Sequence, residues 1–325
     1  MDTRSSNLKS SALSVEQPVG AGTTRPVLRQ ALRRKNHLDA NHGKMGYAFA
    51  SLYTLLLVAF GIVPTLYAIF LAFTSSSGSF AGVANFVQIF QDDRFLPDVG
   101  HVAAFLAIWL VGLVIFVVLL ALIVHGIRAR WLSGTARFLF YIPGALAGAS
   151  SVMLWLFVLD PAVSPVSFLL RAMGLQTLVQ TISPQHLPIV FAVIAFWTGA
   201  GGWIVIMYGA LNNISTEIME AARIDGANAV QIAFSIQLPM MRKWIAYMGI
   251  MSLAAGTQLF VEPQLLSQAS NAVVGNDYSL NQLAYLYAFQ QNNFNGSAAI
   301  SIVLLVAALA LSAVFVARGG LFERD

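Results

Sequence analysis

"EIMEAARIDGANAVQIAFSIQLP" fills residues 217–239 and separates two apolar runs, 188–211 and 244–266. Ser215 or Thr216 can cap a helix start, and Glu217 and Glu220 suit the positive end of its dipole. Ile218, Ala221, Ala222 and Ile224 then fall at near-helical spacing on one side. Gly226 breaks that helix, with Asp225 placed to cap the next one. A second helix presents Val230, Ala233 and Phe234 at i, i+3 and i+4, and Pro239 closes it by disfavouring helix at Leu238. The stretch predicts a short, polar helix–turn–helix with small residues on its face. That is the shape of a docking knob or of a hairpin floating at a membrane surface, and not of a catalytic centre.

Its surroundings decide the fold class. The 325-residue chain is 58% hydrophobic and only 10% charged, with a mean hydropathy of +0.72. Soluble domains carry about 25% charged residues, and this composition cannot cover a water-facing surface. Six apolar runs, 47–73, 99–124, 136–159, 188–211, 244–266 and 297–317, each approach the ~20 residues a helix needs to cross hydrocarbon. The first is too long and begins too far in for a cleaved signal peptide. Gly61 and Pro64, the Gly199, Gly201 and Gly202 group, and Pro263 interrupt these runs, as neighbouring helices in a bundle permit. The fold class is therefore an all-α polytopic membrane protein with six transmembrane helices.

With the N-terminus in the cytoplasm, every Lys and Arg except Arg94 and Arg171 falls on the inner side or at its edge, which is a strong positive-inside bias. The 212–243 segment then faces the cytoplasm, as do both termini, in a bacterial plasma membrane. Segregation by topology also removes the nucleic-acid reading of the +4 net charge. Residues 1–46 form a basic tail. Within it, 27–44 sets Arg29, Arg33, Arg34 and Lys35 beside Leu28, Leu32 and Leu38, a spacing that permits an amphipathic helix on anionic headgroups. Residues 47–320 make the membrane domain and 321–325 a short cytoplasmic end. The chain has no cysteine, and its five histidines are scattered without metal-ligand spacing, so thiol chemistry and zinc sites are not expected.

Glu220-Ala221-Ala222, Gly226 four residues after Ala222, and Ile236-x-Leu238-Pro239 together resemble the EAA loop of ABC importer permeases. "EAARIDGA" is similar to the variant in carbohydrate-importer permeases of the maltose/glycerol-3-phosphate group. "FAGVANF" (80–86), "YIPGALAGASSVMLWLFV" (141–158) and "SFLLRAMGL" (167–175) resemble other segments of the same family. The exit of the fifth run, "LFVEPQLLSQASN", departs from it, so the external loop 267–296 has no family template. The resemblance implies an ABC type I importer permease fold. It also implies a separate ABC ATPase dimer, a second homologous permease subunit and an external substrate-binding protein as partners. The chain has no GxxxxGK[ST], so the resemblance places ATP and Mg on the ATPase, with no cofactor and no hydrolytic activity in this chain. The residues it assigns to ATPase coupling are Glu220, Ala221, Ala222, Asp225, Gly226, Ile236, Leu238 and Pro239.

For the substrate path the candidates are Glu262, Gln258, Gln264, Trp197 and Trp203. Glu262 is the one carboxylate inside a predicted span, beside a Pro263 expected to interrupt the fifth helix, and ionisable groups at membrane depth mark pathways. Gln258 and Gln264 offer the donors and acceptors that sugar hydroxyls need. Trp197 and Trp203 flank an expected Gly-rich break in the fourth span. The rival classes are a secondary transporter or channel for a small polar solute, which would need more buried charges, and a membrane enzyme, which would need a clustered acid–base constellation.

Overall fold

The computed structural model describes residues 46–47, 50–146, 148–270 and 273–318, so the readings of the 1–46 tail at residues 27–44 and of the 321–325 end lie outside the described residues. Two compact units divide at Thr65/Leu66. In the first, the described chain is helical from Ala50, with a wide π turn at Val58–Ile62, and it opens helix α1 (Ala50–Ala72). After α1 come α2 (Ala84–Phe90), α3 (Phe95–Gly126), α4 (Arg130–Tyr141), α5 (Gly148–Leu159), α6 (Ser167–Ala172), α7 (Leu178–Thr181) and α8 (Leu187–Asn212). The hairpin comes next as α9 (Thr216–Ile224) and α10 (Ala229–Met240), then α11 (Arg242–Gly256), α12 (Val261–Ala269), α13 (Leu280–Tyr285) and α14 (Phe294–Arg318). Apart from one isolated bridge between Thr74 and Phe80, the regular structure of the described residues is helical.

Among the described residues, four helices are long and apolar enough to cross a membrane singly: α1, α3, α8 and α14. The remaining two crossings are bent pairs. The run expected at 136–159 is not one helix: the segment Arg130–Ala145 meets α5 at 103°. The first arm ends in a tight 3-10 turn over Ile142–Ala145 with Pro143 in its first positions, just before the break. The fifth crossing is α11 and α12, bent by 44°. Its break lies at residues 257–260, before Pro263 and not at it. Pro263 sits in the first turn of α12, where its missing N–H has no helical partner to lose.

The fourth crossing corrects the sequence reading in the opposite sense, because α8 is continuous through Gly199, Gly201 and Gly202. Gly201 is small for a packing reason. A Cβ there would collide with the backbone of Phe140 and Tyr141 where α4 crosses it. Gly256 does the same for the Trp109 ring and the Leu106 side chain on α3. Lipid tails are as apolar as leucine, so helices in a bilayer gain by packing closely, and small residues at crossings permit it.

The most extensive packing is α3 against α8, joined by α11. Leu113, Val117, Ile204, Met207 and Met248 are fully buried at that junction. A second cluster around Phe105, Trp109, Phe191 and Leu266 continues it, and a third joins α2 and α13 to α14. Polar clasps tie the external connections down. Asn85 Nδ2 donates to the carbonyls of Ala72 and Thr74 at 2.9 and 2.8 Å, and Asn295 Nδ2 donates to Leu71 and Thr74 at 3.0 and 2.7 Å. Arg94 donates two side-chain bonds to the Asp92 carboxylate, which also accepts from the Tyr287 hydroxyl at 2.8 Å. The guanidinium and this hydrogen bonding hold the Asp92 carboxyl below the usual carboxylate range. Burial, with the bond to Asp92, pushes Tyr287 up to about 12.

A hairpin coupling element and a broken span

Each turn of the 216–240 hairpin has a local cause. Ser215 Oγ accepts from the Glu217 N–H at 3.2 Å and caps α9, which settles the choice between Ser215 and Thr216. Gly226 has φ +84°. Its N–H donates to Arg223 O at 3.1 Å, and Ala227 N–H donates to Ala222 O at 2.9 Å. Those two bonds make a Schellman cap, which needs a left-handed residue where glycine stands. Asp225 is the last half-helical residue of that cap and does not cap the next helix. Asn228 does: Asn228 Oδ1 accepts from Gln231 N–H at 2.9 Å while Gln231 Oε1 accepts from Asn228 N–H at 2.8 Å. This capping box is legible as N-x-x-Q but was not among the sequence candidates.

Along α10 the chain widens into a π turn over Ala233–Gln237, one turn before Pro239. Pro239 has no N–H and its ring crowds the carbonyl four residues back, so a wider turn there relieves the clash and lets the helix run on to Met240. Ile236 and Leu238 are half-buried, while Pro239 is exposed at the end. Pro239 therefore does not end the helix at Leu238, as the sequence reading expected. Glu220, Ala221, Asp225 and Gly226 are exposed together around the turn, and Ala222 is half-buried. Ile224, the apolar residue at the tip, is 85% exposed. The result is a rigid, doubly capped corner whose tip offers small and apolar groups plus two carboxylates.

The second candidate region is the break between α11 and α12. Breaking a helix frees carbonyls, and here the segment that leads into α13 takes them. Asn281 Nδ2 donates to Thr257 O at 3.0 Å and Ser279 Oγ donates to Leu259 O at 2.7 Å. Of segment 267–296, which had no template, the described part carries α13, capped by Ser279, and its Ser279 and Asn281 side chains close the break. Gln264 Oε1 accepts from Gln282 Nε2 at 3.1 Å, and Gln282 keeps its own Oε1 buried without a partner. Gln258 lies exposed in the break itself, and Glu262 is half-buried in the first turn of α12.

α12 packs on α5, so the C-terminal arms of both bent pairs meet. Trp155 of α5 makes an edge contact with Trp197 of α8 at 5.8 Å between centroids. Trp203 instead contacts Tyr247 of α11 at 5.8 Å. The two tryptophans have separate partners and do not form one platform. Glu262 is also not the only carboxylate in an apolar helix. α3 begins at Phe95, earlier than the expected 99, and so includes Asp98, 2% exposed, with Oδ2 unpartnered. A run bounded by hydropathy stops short of such a residue, which is why it was missed.

Residues 118–324 match the family described as the binding-protein-dependent transport system inner membrane component. The chain belongs to that family. As such an inner-membrane component it is 26% identical over 268 residues to the multiple sugar-binding transport system permease protein MsmF of Streptococcus mutans, covering 80% of this chain and 90% of that one. It is 27% identical over 315 residues to the arabinooligosaccharides transport system permease protein AraP of Halalkalibacterium halodurans, covering 94% and 98%. Over 240 residues it is 26% identical to the sn-glycerol-3-phosphate transport system permease protein UgpA of Yersinia pestis, covering 73% and 79%. Its fold matches a chain of a bacterial ABC transporter involved in the import of the acidic polysaccharide alginate, with a TM-score of 0.75 at 19% identity over 89% of this chain and 100% of that one. The same kind of transporter in complex with alginate pentasaccharide-bound periplasmic protein matches with a TM-score of 0.73 at 20% identity, over 85% and 94%. The inner-membrane component therefore has an ABC importer permease fold, with the 216–240 hairpin inside the family match.

Proposed function

We propose that the chain is the permease subunit of an ATP-driven, binding-protein-dependent importer for a sugar or sugar derivative. The observation that carries this reading is the doubly capped hairpin, with its exposed tip of Ala221, Ile224, Asp225 and Gly226. On this reading the tip seats in a cleft of a separate ATPase subunit that binds ATP and Mg, and closure of an ATPase dimer moves the hairpin as a rigid lever. Glu220 pairs with a basic group there, while alanine and glycine let the two backbones approach. Ile236, Leu238 and Pro239 tie the lever to α11. The hairpin and both termini lie in the cytoplasm, in accord with the segregation of Lys and Arg.

The carbohydrate class is supported by the sugar-transport names of the relatives and by the side chains at the break. Gln258, Gln264 and Glu262 supply hydroxyl-pairing groups at the broken fifth crossing, where α12 packs on α5. Trp197 and Trp203 contribute apolar ring faces at separate depths of α8. A second permease completes the path, and an external binding protein delivers the sugar. The test is uptake by the reconstituted complex, with this chain, its partner permease, the ATPase and the binding protein in sealed vesicles. Transport should require ATP and binding protein and survive collapse of ion gradients. Uptake driven by an ion gradient without ATP would sink the proposal in favour of a secondary transporter.

A further inference from the structure

Between α3 and the hairpin lies a cavity of about 860 Å³. Ile115, Leu119 and Leu122 form one wall, and Val230, Ala233 and Phe234 form the other. Its ionisable lining residues are His125, Arg128 and Arg223, with no Asp or Glu among them. The basic groups are gathered at one end. Arg128 comes just after the C-terminus of α3 and Arg223 is in the last turn of α9. Both side chains are exposed, and neither guanidinium has an ion pair or hydrogen bond among the described residues.

Depth identifies the occupant. The α3 wall runs from Val114 to Gly126, which at 1.5 Å per residue is about 18 Å. Half of a ~30 Å hydrocarbon core is ~15 Å. A groove that is apolar for one leaflet's depth and cationic only at its water end complements an amphiphile with an acyl tail and an anionic head. The basic 27–44 segment of this chain is a poor rival, because it would bring cations to a cationic collar. Arginine forks match phosphate oxygens in a bidentate way.

We propose that this groove holds an anionic phospholipid of the adjacent leaflet, its acyl chain between α3 and α10 and its phosphate between Arg128 and Arg223. The inference rests on the cytoplasmic placement of the hairpin. The lipid then forms part of the bearing on which the hairpin turns, so the anionic lipid content of the membrane tunes coupling between ATP hydrolysis and transport.

The test uses the whole importer complex in nanodiscs doped with phosphatidylglycerol carrying a photoreactive diazirine on its acyl chain. Irradiation should label peptides covering 114–123 and 229–234. Unlabelled phosphatidylglycerol should compete and phosphatidylcholine of the same chain length should not. Arg128→Gln should lower phosphatidylglycerol retention by about tenfold, the loss expected for one charge-assisted hydrogen bond. Leu119→Trp, which fills the groove, should abolish the labelling while the complex still assembles. Equal competition by phosphatidylcholine, or labelling confined to other helices, overturns the proposal. So does a Leu119→Trp variant that fails to bind the second permease while lipid retention persists, since the groove would then be a protein interface. A separate failure, labelling of a cysteine at Ser215 from outside the cell, would overturn the hairpin's placement and leave the photolabelling result to stand by itself.

Discussion

Replacing Gly226 separates backbone geometry from side-chain contact at the hairpin. An added Cβ at this position meets nothing within 4 Å, so a substitution is penalised through φ and not through a clash. With φ at +84°, alanine pays the left-handed cost of about 1–2 kcal/mol. Asparagine, which tolerates that region better, costs less. Proline cannot adopt the angle and also loses the N–H that donates to Arg223 O, so it costs about 3 kcal/mol or more. If the ATPase recognises only the preformed corner, its apparent affinity falls by the factor that the corner's population falls. For alanine that is at most about 5–30-fold, the limit reached when the corner becomes the minor state. Binding of the purified ATPase to the permease in nanodiscs should rank Gly226 above Asn, Asn above Ala and Ala above Pro, and ATP-driven uptake should obey the same order. Proline with wild-type ATPase binding and uptake would refute the rigid-corner argument.

Four further outcomes are expected. Single cysteines at Ser76 and Asn276, both exposed, should react with an impermeant maleimide from outside intact cells, and one at Ser215 should not. Gly201→Ala forces a Cβ onto the Phe140 carbonyl and should destabilise the fold by about 1–3 kcal/mol, whereas Gly202→Ala, with nothing within 4 Å, should be near neutral in thermal melting. Tyr287→Phe removes a hydrogen bond to a carboxylate, worth about 1.5–3 kcal/mol. Because the Asp92 pKa is held below its unfolded value, its stabilisation is present above pH ~4 and is lost as pH falls toward the folded value. The variant should lose part of that acid dependence in a melting-temperature series. At Glu262, a lipid-facing carboxylate near a span centre would cost about 2.5–3.5 kcal/mol, which favours an inward position. Glu262→Gln should retain uptake if hydrogen bonding to substrate is the role, Glu262→Leu should lose it with assembly intact, and wild-type uptake by Glu262→Leu would remove the residue from the path.

The signals that could be read from sequence were local ones. Ser215, Gly226 and the EAARIDGA spacing act within one or two turns, so the hairpin was legible almost residue by residue. Two roles there were misplaced. Pro239 does not end the helix at Leu238, because the π turn before it accommodates the ring. Asp225 is not the second cap, since Asn and Asp at nearby positions offer equivalent side-chain acceptors. Asn228 takes the cap because a Schellman turn uses Asp225 to Ala227 first. Hydropathy also located all six apolar runs, since burial in lipid acts on every residue of a span alike. It carried no information about direction. The 103° bend between Ala145 and Gly148 interrupts a stretch without a charged residue, so a window average passed straight through it.

Glycine was ambiguous for the same reason. Gly199, Gly201 and Gly202 read as a helix break because glycine has high backbone freedom. In α8 the helical hydrogen bonds persist, and the missing side chain at Gly201 admits the crossing backbone at Phe140. In water a run of three glycines in four residues weakens a helix by about 1 kcal/mol each. In a bilayer the unpaired backbone that a break would expose costs more than that, so the helix holds unless other groups satisfy the freed carbonyls. Such groups exist at only one of the two places where the sequence reading expected a break in the fourth and fifth crossings. Ser279 and Asn281 reach Leu259 and Thr257, and there the fifth crossing opens. The position of the opening is thus matched to a segment some twenty residues away in sequence. That dependence also predicts its own test: the Ser279→Ala, Asn281→Leu pair should leave the hairpin and its ATPase docking intact while impairing transport. The same pair transporting at the wild-type rate would mean that the break is held by something other than these two bonds.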